Sequence, residues 1–163
     1  MPHTDQQEDA LLTPSLQGQG LPGLHGPRPW RLTSQVYVAF FGGSLAVTGI
    51  AWLNARRLGA TSPRRTQILL AGLAGFAATL LLFVALSTDD TPSATRLGVQ
   101  AISIATYGAL YLLQRQLDRR YHWYDRRSED ESYDSLVGPG LIAVIALGAV
   151  QWLLLVLTVQ AFG

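Results

Sequence analysis

The sequence predicts an all-α, multi-pass membrane protein: four transmembrane helices in an antiparallel bundle behind a disordered N-terminal tail. Three observations predict it. Charged residues make up 14% of the 163-residue chain, against roughly 25% in a soluble domain. The deficit is concentrated in four stretches: 24 uncharged residues between Arg31 and Arg56, 23 between Arg65 and Asp89, 18 between Arg96 and Arg115, and 29 after Asp134. Each is close to or above the roughly 20 apolar residues that one helix needs to cross a bilayer core.

Residues 1–30 form the tail. They are rich in Gln, Gly, Pro and Thr and cannot bury enough apolar surface to fold. The tail carries Asp5, Glu8 and Asp9 and no basic residue before Arg28, unlike a cleaved secretion signal. The first helix is therefore expected to direct insertion itself. The remainder, 31–163, is one transmembrane domain. Pro27-Arg28-Pro29-Trp30-Arg31 reads as a headgroup-level anchor, because Trp favours the interface and Arg can snorkel there.

The first helix is predicted over about 34–58. Arg56 and Arg57 fall in its last turn, where cations suit the helix dipole. Gly59 stands where a left-handed cap residue is needed. The second helix, about 63–87, starts at Ser62-Pro63, a capping residue followed by a proline at the first helical position. The third, about 92–127, is the least hydrophobic and outruns a bilayer core. Its Gln100, Ser103 and Thr106 are costly against lipid and should face neighbouring helices or water. The fourth, about 139–161, is apolar except for the Gln151-Trp152 pair.

Composition excludes several functions. The net charge of +1 gives no bulk attraction to nucleic acid. With no cysteine, disulfides and thiolate chemistry are excluded. The uncharged interiors of the predicted spans hold no ionisable Asp, Glu, Lys, Arg or His, whereas ion-coupled pumps place such a group in the membrane. No phosphate-binding glycine loop, serine-hydrolase elbow or paired-His zinc signature occurs. Gly42-Gly43-Ser44 has no base to activate the serine and reads as close packing. Neither catalytic residues nor a cofactor are expected.

Small residues recur at helical spacing: Gly42, Ala46 and Gly49 in the first helix, Ala71 and Gly75 in the second, Ala101 and Ala105 in the third. Such faces let helices approach closely in lipid, within one bundle or between copies. The segment 118–127 puts Asp118, His122 and Asp125 on one helical face. One His and two Arg-flanked acids fall short of a metal site, so Tyr121, His122, Trp123 and Tyr124 read as an interfacial segment beside anionic lipid.

Short Arg-rich loops stay in the cytoplasm. Nine arginines fall in the first and third loops and three, Arg28, Arg31 and Arg96, outside them, which places both termini outside the cytoplasm. The run Phe41-Gly42-Gly43-Ser44-Leu45-Ala46, followed by Asn54 and Arg57-Leu58-Gly59, resembles a loose group of small bacterial integral membrane proteins of unknown function. That group carries a proline where Ser44 stands. The resemblance covers one helix and implies a bacterial membrane location, with no activity attached; the inner membrane is the location expected.

The expected function is accordingly a structural, accessory or partner-binding role in the bilayer, with homo-oligomers or a larger complex as partners and no nucleic acid. The alternative is a transporter or channel component whose path is lined by the polar third helix. A third class, an interfacial enzyme using His122 with Asp118 or Asp125, is the least supported.

Overall fold

The computed structural model describes residues 27–86, 92–124 and 133–162. It is all-helical, with four long helices: α1 (Gln35–Arg57), α2 (Ser62–Leu86), α3 (Pro92–Tyr124) and α4 (Val137–Phe162). By residue count and composition alone, all four are long and apolar enough to cross a membrane. Of the predicted tail, residues 1–26 lie outside the described residues, as do 125–132.

The helix ends follow local chemistry. Gly59 has φ 70°, and the turn around it satisfies the last carbonyls of α1. Gly59 N–H donates to Arg56 O at 3.1 Å and Ala60 N–H to Ala55 O at 2.9 Å, the paired bonds of a left-handed helix cap. Across the turn, Arg64 donates from Nε and Nη2 to Leu113 O at 3.1 and 2.9 Å. That contact ties the start of α2 to the lower part of α3.

The first helix departs from the expected continuous span. Gly43 has φ 78° and ψ −169° inside α1, a backbone region essentially confined to glycine. The break folds the helix back on itself. Trp30 N–H donates to Asn54 Oδ1 at 2.7 Å, and Arg57 Nη1 donates to Arg28 O at 2.7 Å. A straight α-helix would separate residues 35 and 54 by about 28 Å. Five extended residues reach back only about 17 Å, so a straight α1 cannot make either bond. The halves 35–42 and 44–57 therefore lie side by side as a hairpin, with Gly43 at its tip. Gly42 faces Ala46 across the hairpin; a Cβ there would sit 2.5 Å from the Ala46 Cβ.

This hairpin is the centre of the molecule. It packs against α2, α3 and α4, and α2 packs against α3 and more lightly against α4, whereas α3 and α4 scarcely touch. Half of the apolar window of α1 is covered by protein, against 17%, 22% and 28% for the other three. Ala39, Ala46, Val47, Ala51 and Ala55 are fully buried in it, together with Ile68 and Leu110. Many large apolar side chains of α2 and α4 are instead exposed, among them Leu70, Leu81, Ile142 and Leu153.

Glycines set the closest approaches. A Cβ on Gly49 would meet Leu147 Cδ1 at 2.7 Å, Gly72 abuts Thr48, and Gly75 abuts Thr106. Polar side chains bridge the lower half. Asn54 Nδ2 donates to Gln114 Oε1 at 3.3 Å, so fully buried Asn54 joins Trp30, α1 and α3 at one point. Beneath it Arg57 lies over the Trp30 ring, 3.8 Å from its centroid, and reaches Asp134 Oδ2 at 3.3 Å. Asp134 N–H in turn donates to Pro29 O at 2.9 Å. The segment before α1, the α1–α2 turn and the start of α4 thus share one end of the bundle.

Candidate functional site

Because the α1 hairpin turns at Gly43, it fills only the half of the bundle nearest the arginine-rich end. Above its tip, α2, α3 and α4 enclose a cavity of about 950 Å³. Phe40, Phe41, Gly42 and Gly43 form its floor, and α3 and α4 form facing walls through residues such as Gln100, Ser103, Gln151 and Trp152. From Gln151 near the floor to Gln160 at the mouth is nine helical residues, about 13 Å.

The floor is polar for a definable reason. Breaking a helix frees backbone groups that lipid cannot satisfy. Gln151 supplies the acceptor: Leu45 N–H donates to Gln151 Oε1 at 3.0 Å, and Ser44 Oγ donates to the same oxygen at 3.3 Å. A Cβ on Gly43 would lie 2.6 Å from Gln151 Oε1 and 2.7 Å from Cδ, so the amide of Gln151 rests on the bare α-carbon of Gly43. A Cβ on Gly148, one turn earlier in α4, would lie 3.5 Å from Gly42 O.

Higher up the walls are aromatic and aliphatic, with Phe83 and Trp152 in edge-to-face contact, centroids 6.3 Å apart. At the mouth stand Thr95, Arg96 and Gln160. Among the described residues, Arg96 is the only ionisable member of the lining, and no acidic residue lines it.

The residues singled out by sequence divide clearly. Gln100 and Ser103 both line the cavity. Ser103 Oγ donates to Val99 O within α3 at 2.8 Å. Thr106 does not line the cavity; its hydroxyl donates to Ile102 O at 2.8 Å and its side chain fills the space left by Gly75. Gly42, Ala46, Gly49 and Gly75 lie at helix contacts, and half-buried Ala71 packs against the core. Ala101 and Ala105 are exposed on the outer face of α3.

Trp30 is 2% exposed. It is covered by protein under Arg57, whereas the sequence placed it among headgroups. The fold-back of α1 is the reason, since it carries residues 28–31 to the buried end of Asn54. Tyr121 is half-buried, its ring 6.4 Å from that of Tyr133, and His122 is exposed. The side chains of Trp123 and Tyr124 lie outside the described residues. Asp118 Oδ1 accepts from Tyr133 Oη at 3.1 Å, and no cluster of three or more potential metal ligands occurs among the described residues.

Sequence reasoning missed Gly43, Gln151 and Arg96 as parts of one site. The signals in the chain were a Gly-Gly pair inside an apolar run and one amide interrupting another. No known family model matches the chain, and no curated protein or solved structure is detectably similar to it.

Proposed function

We propose that the chain is a multi-pass bacterial inner-membrane protein in which α2, α3 and α4 cross the bilayer and α1 enters and leaves on one side, and that it works as a ligand-binding component of a transporter or channel. The single observation carrying this reading is the cavity floored by the broken α1 helix. Neither half of α1, about 12 and 21 Å long, reaches across a core of about 30 Å. In lipid, irregular backbone is tolerated where protein buries it or where it lines a water-filled cavity. Discontinuous helices meeting near the midplane are the usual construction of solute sites in transporters. The exposed apolar faces of α2 and α4 support burial in lipid.

The fold-back also changes the orientation expected from charge. Arg28 and Arg31 belong to the end that holds Arg56, Arg57, Arg64, Arg65, Arg115, Arg119 and Arg120, leaving Arg96 alone at the other end among the described residues. The preference of arginine for the cytoplasmic side then puts the segment before α1 inside the cell, the end of α4 outside, and the cavity mouth outside. The accessory-subunit reading retains one observation, the exposed Ala101 and Ala105 face, which a second membrane helix could cover. No catalytic role is proposed.

The absence of native cysteine makes the test direct. A cysteine replacing Gln100 is expected to react with a small impermeant maleimide on intact cells, and one replacing Arg28 only after permeabilisation. An inert thiol at position 100, or a thiol at position 28 labelled from outside, would overturn the reading.

A further inference from the structure

We infer that the occupant of the cavity is an acidic lipid, its head group against Arg96 and one acyl chain lying between α3 and α4. This rests on the membrane placement and vestibule proposed above. Charge comes first. Arg96 is the sole ionisable residue among the described lining, it is exposed, and among the described residues it has no ion-pair partner. Among the described residues the lining holds one cation and no acid, which favours an anion over a cation. Position comes second. Arg96 lies in the second turn of α3, at the mouth, where a lipid head group at the bilayer surface would sit, and basic pockets between membrane helices hold acidic head groups in this way.

Access and walls supply the rest. A water-soluble anion needs a polar wall and entry from solvent. Here Phe41 is 70% exposed and Trp152 58% exposed while both line the cavity, so the lining continues onto the outer, lipid-facing surface. The scarcity of contact between α3 and α4 leaves a side entrance at the same place. The volume of about 950 Å³ lies in the range of drug-sized and larger ligands, well beyond a bare ion. Below the aromatic belt, Gln151 and Ser103 offer only neutral polar groups, so among the described residues the single charge of the lining is at the mouth.

The test uses the full chain in neutral detergent with Gln100→Cys as its only thiol, and Thr95→Cys as a second reporter. Maleimide labelling is timed against lysophosphatidylglycerol and, separately, lysophosphatidylcholine of the same chain length. The acidic lipid is expected to slow labelling at about tenfold lower concentration than the zwitterionic one, the scale of one charge-assisted hydrogen bond. Arg96→Gln should erase that ratio, and a control thiol at Gly138, on the opposite end, should be unaffected. Equal protection by both lipids overturns the head-group assignment. Brisk labelling with no protection by either overturns lipid occupancy and leaves the vestibule standing. Thiols that never label, with or without lipid, overturn the vestibule and this inference together.

Discussion

Replacing Gly43 by alanine tests the hairpin at its tip. The backbone at φ 78°, ψ −169° costs a residue bearing a Cβ about 1–3 kcal/mol. The new methyl also collides with the Gln151 carboxamide, and moving that group removes the acceptor of Leu45 N–H. An unsatisfied buried amide costs about 1–3 kcal/mol more. The two penalties share one side chain and do not simply add, so a loss of about 3 kcal/mol is expected, or roughly a hundredfold in the folding equilibrium. The assay is unfolding of the purified chain by titrating dodecyl sulfate into mild detergent. Gly138→Ala is the control: it lies in α4 with nothing within 4 Å of its missing Cβ, and it should be neutral or stabilise by up to about 1 kcal/mol. Gly43→Ala also gives α1 the option of straightening into a continuous 23-residue helix, which a cysteine at position 28 would report by becoming accessible from outside the cell. A variant that loses less than about 1 kcal/mol while the thiol at position 28 stays protected would refute the hairpin.

Other substitutions probe the same packing. Asn54→Ala strips partners from Trp30 N–H and Gln114 and should cost about 2–4 kcal/mol in the same titration. Gly72→Ala drives a methyl into Thr48 and should cost about 1–3 kcal/mol; adding Thr48→Ala should recover part of that loss, which a double-mutant cycle measures. Arg57→Lys loses the flat stack over Trp30 and weakens the bond to Arg28 O, so limited proteolysis should cut faster near residues 27–34. Asp134→Asn, by contrast, should shift stability by less than about 1 kcal/mol, because its side chain is 55% exposed and the pair with Arg57 is solvated.

The number of long helices and the place where the first one stops were legible in the residues alone. Uncharged runs of bilayer length are local facts, and so are the stop at Arg56-Arg57-Leu58-Gly59 and the proline near the start of each later helix. Gln100 and Ser103 were marked as well, because an amide and a hydroxyl on an apolar helix need either a partner or water. The direction of the chain within α1 was not legible. A Gly-Gly pair in an apolar run fits a straight helix packed closely on its neighbour as well as it fits a chain reversal, and only the partner separates the two. That partner is Gln151, 106 residues on from Leu45, whose carboxamide both accepts the freed N–H and occupies the space that a side chain at position 43 would need. The same long-range contact buried Trp30, moved Arg28 and Arg31 to the other end of the bundle, and left the upper half of the molecule unfilled. Local patterns report which segments avoid water; how far each segment reaches before turning back is set by contacts between residues far apart in the chain.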